Sequence, residues 1–235
     1  MMISKVRPAS PGLHAVLVAG GLAPAAAEAL AAIPHDRITV DPRQPFREPG
    51  ALRNEVMFVE RGILAKSRVD TSGNRQIVAL RYASEGILPG EGRLGVSLRA
   101  IVPTTLLVGK ASDLDAIIAR HPEIAAFFVK LLQRENRINY EWLTSCGRRD
   151  SLARVAHFLL EMARRTDASP ESDGMANPFT QAEIADMTGQ TSVNVNRMFA
   201  RLERDGMIRR EGKRIFFLDT EAMRRRAEFD ASYLA

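Results

Sequence analysis

The hydrophobic period of this chain changes once along its length, and that change limits what it can fold into. From Arg37 to Lys110 the apolar residues come in short clusters between turn residues. Met57-Phe58-Val59 and Ile63-Leu64-Ala65 flank Arg61-Gly62, Asp70-Thr71-Ser72-Gly73-Asn74 has the composition of a hairpin turn, and Arg75 to Tyr82 is a strand-like run with β-branched and aromatic residues. Further apolar pieces lie at 98–102 and 105–108, either side of Pro103. Many short strands punctuated in this way predict a sandwich or barrel-like roll rather than βαβ units. From Ser112 onward the spacing is helical. Ser112 or Asp113 is expected to cap a short helix over 113–120. Pro122 suits the first position of a long helix, which runs to about Ser145 without an internal Gly or Pro. The chain is therefore α+β, with strands first and helices after.

Composition narrows the class. With 235 residues, 46 % apolar and 26 % charged, the chain is expected to be globular, with one or two domains. No apolar run reaches the roughly 18 residues of a membrane-spanning helix. Cys146 is the single cysteine, which excludes an intrachain disulfide, a Cys-based zinc finger and an all-Cys iron–sulfur cluster within one chain; no metal site is expected. Lys5 and Arg7 precede a small-apolar stretch, Leu13 to Ala32, that has some look of a signal peptide. Gly20-Gly21 and Pro24 interrupt it and Glu28 sits inside it, so the expectation is a short helix over Pro24 to Ala32 in a cytoplasmic protein.

The long helix carries a heptad seam. Ile124, Leu131 and Ile138 are seven apart, as are Phe128, Glu135 and Trp142, with one charged member at Glu135. Its length and its apolar residues on more than one face predict a seam that meets a second copy of the chain. Gly147-Arg148-Arg149-Asp150 is expected to end it. Ser151 to Arg165 reads as a helix with Leu152, Val155, Ala156, Leu159 and Met162 inward, and 166–178 as a loop.

The stretch from Phe179 to Leu218 points to function. Thr180 with Glu183 forms a Thr-x-x-Glu capping box that opens a helix. Thr188-Gly189-Gln190-Thr191 is a sharp turn, and a second helix follows from Ser192 to about Asp205, with Val195, Met198, Phe199 and Leu202 inward. Helix, glycine turn and helix make a helix-turn-helix. After Gly206, Met207 to Arg210 and Ile215 to Leu218 flank Glu211-Gly212-Lys213-Arg214 as a hairpin with a basic tip, a wing. Residues 192–214 hold seven cations against three carboxylates, a local +4 in a chain of net +5. An α-helix fits the major groove, where Asn pairs adenine, Arg pairs guanine and an apolar side chain touches the thymine methyl. Ser192, Asn194 and Arg197 are the expected base contacts, with Val193 on a thymine methyl and Asn196 and Arg201 beside them. Thr180 and Gln181 at a helix N-terminus, with Lys213 and Arg214 on the wing, are expected at phosphates.

Thr180-Gln181-Ala182-Glu183-Ile184-Ala185, Gly189, Val195-Asn196-Arg197, Arg201-Leu202 and Asp205-Gly206-Met207-Ile208 together resemble the winged helix of the Crp/Fnr family of bacterial transcription regulators. Phe58-Val59-Glu60-Arg61-Gly62 and Asp70 through Gly73-Asn74-Arg75-Gln76-Ile77-Val78 resemble that family's cyclic-nucleotide-binding-type β-roll. Trp142-Leu143, Gly147-Arg148-Arg149 and the ending Phe229-Asp230-Ala231-Ser232-Tyr233-Leu234 look like one subgroup. The resemblance implies an antiparallel β-roll (a jelly-roll-like double-stranded β-helix) over 1–120, a dimerisation helix over 121–146, a winged helix-turn-helix over 147–222 and a tail over 223–235. It implies a homodimer on a near-palindromic stretch of double-stranded DNA, RNA polymerase as a partner, no membrane and no enzymatic activity.

The effector is where the sequence departs from the family. Gly90-Glu91 is present, yet Leu94 and Gly95 stand where cyclic-nucleotide binders place an Arg-Ser pair for the phosphate. Arg93 and Arg99 are nearby substitutes, so Gly90, Glu91, Arg93 and Arg99 are the effector-pocket candidates, and the effector itself is left open. Cyclic nucleotide is not the expected ligand. Without N-terminal cysteines an iron–sulfur cluster is not expected, nor is haem from the scattered His14, His35, His121 and His157. At the second position of the recognition helix, Val193 replaces a common acidic residue, so the family's usual half-site is not assumed.

The main variant is a dimer that acts constitutively with a degenerate pocket, and a protein-interaction module with a vestigial helix-turn-helix is a further hypothesis. Two more specific alternatives also compete. Gly90-Glu91-Gly92-Arg93-Leu94-Gly95 spells G-x-G-x-x-G, with Asp113 and Asp115 about 20 residues on, the lettering of a nucleotide-binding enzyme. Pro103 leaves no room for the helix that motif needs. Cys146, beside Arg148 and Arg149, could have its pKa lowered by those cations and report redox state.

Overall fold

The computed structural model describes residues 3–4, 11–42, 45–47, 54–89 and 95–235. Contacts divide the chain into two compact units, Met1–Gln133 and Arg134–Ala235. No helix among the described residues is long and apolar enough to cross a membrane.

The first unit runs β1 (Ile3–Ser4), α1 (Pro11–Ala19), α2 (Pro24–Ala31), β2 (His35–Val40), β3 (Pro45–Arg47), β4 (Glu55–Arg61), β5 (Leu64–Val69), β6 (Arg75–Arg81), β7 (Gly86–Ile87), β8 (Ser97–Ala100), β9 (Thr104–Lys110), α3 (Ala111–Ile118) and then the start of α4 (Pro122–Arg148). Its strands form two antiparallel sheets, ordered β1-β2-β9-β4-β7 and β3-β8-β5-β6. The expected roll is present. The sequence does not mark β1, β2, β3 and β7 individually; β2, HDRITV, offers only Ile38 and Val40 as inward residues.

Alternation along the strands builds two apolar layers. Met57, Val59, Leu106 and Val108 join Leu64, Leu98 and Ala100 between the sheets. Val56, Phe58 and Leu107 point the other way, into a layer made with α1, α2, α3 and the first turns of α4. Register also places Arg99. It pairs with Ala65, one residue out of phase with the core pairs Leu64–Ala100 and Lys66–Leu98. Arg99 therefore lies on the outer face of its sheet, not in the roll interior. Gly90, Glu91 and Arg93 lie outside the described residues. The residues after Gly95 form the strand β8, not a helix, so the nucleotide-binding lettering lacks the context it needs.

Two helix boundaries differ from expectation. Lys110 is the N-cap of α3, without a side-chain cap bond, so neither Ser112 nor Asp113 caps it. α4 is 27 residues long and continues through Gly147 and Arg148.

The heptad seam is buried, but by this chain. Ile124 and Phe128 are core residues of the first unit, Phe128 lies 6.2 Å from the Phe58 ring, and Leu131 packs at the edge of that core. Ile138 and Trp142 pack with Phe229, Tyr233 and Leu234 in the second unit, and Glu135, between the two clusters along the helix, is half-buried. A heptad shows which stripe of a helix is covered, not what covers it. The apolar residues left exposed on α4 are Val129 (51 %), Leu132 (41 %), Tyr140 (67 %) and Leu143 (72 %).

The second unit adds α5 (Ser151–Arg165), β10 (Met175–Ala176), α6 (Gln181–Thr188), α7 (Ser192–Arg204), β11 (Ile208–Glu211), β12 (Arg214–Phe217), α8 (Thr220–Ala227) and a 3-10 turn, Ala231–Leu234. Residues 223–235 are thus no loose tail. Tyr233 and Leu234 are buried, and Arg134 Nε donates to the Leu234 carbonyl at 3.0 Å. Glu161, 2 % exposed, accepts from Trp142 Nε1 at 2.9 Å, Tyr233 Oη at 2.8 Å and Arg165 Nη1 at 3.1 Å. Burial, and then the Glu161 charge, push the Tyr233 phenol well above its ordinary range. Nearby, Glu141 lies 3.1 Å from His157 Nε2 and 2.6 Å from Arg149 Nη2.

The His157 contact, with Arg149 behind it, holds the Glu141 carboxyl at about 2 against an ordinary 4.5, although burial opposes this. A carboxylate depressed in the folded state adds stability above its unfolded pKa and loses it as pH falls through the folded one. Glu141→Gln should therefore be less stable at neutral pH. It should also lose less stability than wild type between about pH 4.5 and 2. Urea unfolding followed by circular dichroism across that range checks both.

Candidate nucleic-acid interface

The helix pair forms as the sequence requires. Thr180 Oγ1 accepts from the Glu183 amide at 3.2 Å, and Glu183 Oε2 accepts from the Thr180 amide at 2.8 Å, completing the capping box. Gly189 ends α6 at φ 62°, ψ 46°, a left-handed corner that costs glycine least. Thr191 then caps α7 through the Asn194 amide at 3.2 Å. Val195, Met198, Phe199 and Leu202 are buried, and Ser192, Val193, Asn196, Arg197, Arg201 and Arg204 face solvent. Val193 is 80 % exposed at the first turn.

β11 and β12 form the expected wing, with Gly212-Lys213 as its two-residue loop. The 166–178 stretch is not all loop. Met175–Ala176 pairs with Ile215 and Arg214 as a third strand, a pairing too short to leave a periodic signal in sequence. Gly174, just before it, sits at φ +67°, and a Cβ there would lie 2.7 Å from the Phe216 ring.

Ion pairing sorts the basic stretch. Arg210 Nη2 lies 2.6 Å from Glu203, a contact that lowers the Glu203 pKa, raises that of Arg210, and holds the guanidinium over Phe199. Arg209 pairs with Glu211 and covers Phe216 at 4.6 Å. Arg201 reaches Asp205 at 3.6 Å. These three pairs engage all three carboxylates of 192–214. The remaining cations are Arg197, Arg204, Lys213 and Arg214. Arg204 was not among the expected contacts, although its position seven residues after Arg197 puts it on the same face.

Several expected contacts have other duties. The Thr180 hydroxyl is committed to Glu183, to which it also donates at 2.9 Å; Gln181 beside it is exposed. Arg214 turns to the wing root, where Nε donates to the Asp173 carbonyl at 2.8 Å and Nη2 to that of Gly174 at 2.8 Å. Asn194 is half-buried, with its amide nitrogen on Ser151 and Gln190. Lys213 stays exposed at the wing tip. Cys146 does not have the lowered pKa imagined for a redox reporter. Burial raises it, and the cation that partly offsets this is Arg154, not Arg148 or Arg149.

A helix whose N-terminal half exposes Ser192, Val193, Asn196 and Arg197, beside a basic wing tip, has the form that enters a duplex groove. Comparison with known proteins gives the same direction. A Crp-like helix-turn-helix domain model matches residues 153–226. A probable transcriptional activator of Rhizobium leguminosarum is 31 % identical over 160 residues, 66 % of either chain. The nitrogen fixation regulation protein FixK of Azorhizobium caulinodans is 31 % identical over 176 residues, 72 % of this chain and 70 % of that one. The structure of FixK2 from Bradyrhizobium japonicum superposes with a TM-score of 0.74 at 22 % identity, covering 81 % of this chain and 96 % of that one.

Gly174→Ala should lower unfolding stability by about 1–3 kcal/mol, since the substitution both strains the backbone and strikes the Phe216 ring. A thermal-denaturation double-mutant cycle with Phe216→Ala checks the cause: removing the ring should recover part of the loss.

Proposed function

The chain belongs to the Crp/Fnr family of transcription regulators, and from that premise we propose a homodimer that binds a near-palindromic operator in the cytoplasm and acts on RNA polymerase. The exposed first turns of α7, with cations left over after local pairing, carry this reading. α7 enters the major groove. Arg197 pairs with a guanine, Val193 packs on a thymine methyl, and Ser192 and Asn196 complete the base contacts. Gln181, Arg204 and Lys213 meet phosphates and fix the register. Arg201 and Arg214 sit beside them, held by Asp205 and by the wing root. The β-roll supplies the input: a signal there shifts the population of DNA-competent dimers. The outward Arg99 favours an effector other than a cyclic nucleotide.

The exposed face of α4 suits the second copy better than the seam read from sequence. Val129 and Leu143, with Leu132 and Tyr140 beside them, lie along it. Asn136, midway between Val129 and Leu143 at seven-residue spacing, is exposed. A polar residue at such a position sets the register of paired helices at a cost in stability.

Arg197→Ala should reduce affinity for a selected operator by about 1–3 kcal/mol and relax one base position. Lys213→Ala should weaken binding to all sequences and reduce the slope of log K against log salt by about 0.9 for each phosphate that is no longer neutralised. Fluorescence anisotropy across a salt series reads both; wild-type behaviour in both variants would remove this groove surface.

Leu143→Asp should convert the dimer to monomer at micromolar concentration in sedimentation velocity. A dimer that survives Leu143→Asp combined with Leu132→Asp would place the interface elsewhere.

A further inference from the structure

Asn194 stands on the first turn of α7, yet its side chain is spent on the protein itself. Nδ2 donates to Ser151 Oγ at 2.9 Å and to Gln190 Oε1 at 2.6 Å, which uses both of its hydrogens. Oδ1 accepts from Arg197 Nη2 at 2.5 Å. The orientation of each amide is forced. A guanidinium only donates, so the Asn194 atom facing Arg197 is the oxygen. The nitrogen therefore faces Gln190, which must present its own oxygen. Gln190 Nε2 is then left to donate to the Ser151 carbonyl at 3.3 Å and Thr188 Oγ1 at 3.2 Å, and both of these accept. Reading an adenine needs an amide oxygen and an amide N–H free together, and Asn194 has no such N–H to offer.

We propose that Asn194 is a positioning residue that presets Arg197 for its base. This rests on Arg197 being a base contact, as read above. A guanidinium has five N–H donors; one goes to Asn194, and the others suffice for the two acceptors of a guanine edge. A free arginine side chain has several rotatable bonds to order when it binds, which costs conformational entropy. Asn194 sets part of that order beforehand. Its anchor is Ser151, the first residue of α5, three positions after the last residue of α4. The chain from Ser151 through Asn194 to Arg197 thus links the α4–α5 junction to the group that selects the base.

The test is a binding profile of the full-length protein on a selected operator and all its single-base variants. The proteins are wild type, Asn194→Ala, Asn194→Asp, Ser151→Ala, Arg197→Ala and the Asn194→Ala/Arg197→Ala double variant. Asn194→Ala should cut discrimination about three- to tenfold at the position that Arg197→Ala relaxes, and nowhere else, with no further loss in the double variant. Ser151→Ala, which removes only the anchor, should relax the same position less. Asn194→Asp keeps the acceptor for Arg197, so it should bind all sequences more weakly but retain the preference there. Relaxation by Asn194→Ala at a different position would mean that Asn194 reads its own base, and would overturn the proposal. An unchanged profile for Asn194→Ala would overturn it too. If Arg197→Ala relaxes no position, the base-contact reading fails first and the proposal falls with it; a melting temperature near wild type separates each case from misfolding.

Discussion

A carboxylate with 2 % exposure is expensive to bury, and Glu161 is tolerable only because three donors converge on it. Those donors come from widely separated parts of the sequence: Trp142 on α4, Arg165 on α5 and Tyr233 near the C-terminal end. Removing any one leaves charge short of partners in a dry site, so the group fixes which face of α5 meets the second half of α4. α5 also contacts α6 and α7, so the helix pair packs on a helix that this group holds in place. The proposed DNA-reading surface thus rests on a helix held in place by a polar contact that does not include it.

Much of this was readable in the residues. Capping boxes and glycine corners are short-range devices, and Thr180, Glu183 and Gly189 do what their spacing implies. The roll was legible because its strands are bounded by turns. What failed was information that sequence spacing does not hold. The heptad marked Ile124, Phe128 and Ile138 as covered, correctly, but a burial pattern carries no label for the covering chain. Their partners Phe58 and Tyr233 are distant in sequence. The resemblance assigns the last residues to a tail, and Phe229, Tyr233 and Leu234 are too few to give a period that would mark them as packed.

The candidate site shows the same division. Counting charges over 192–214 marked the right region, while pairing geometry decides which charges are available. Arg209 and Arg210 look like wing cations until Glu211 and Glu203 are placed beside them. Asn194 looks like a base reader by residue type and position; only the neighbouring Ser151 and Gln190, brought in from α5 and the turn, show where its hydrogens go. Side chains with two polar ends are the hardest to assign from spacing, since local and external partners suit them equally well.

The bond from Arg134 to the carbonyl of Leu234 spans 100 residues of chain, and its neighbours Ile138 and Trp142 wait for the same late partners. During synthesis, α5 follows the second half of α4 closely and brings Glu161 and His157 to it, but Phe229, Tyr233 and Leu234 arrive much later. Contacts of such large sequence separation form late and slow the search for the native state. Through that interval the apolar residues Ile138 and Trp142 lack the part of their native cover that the C-terminal cluster supplies.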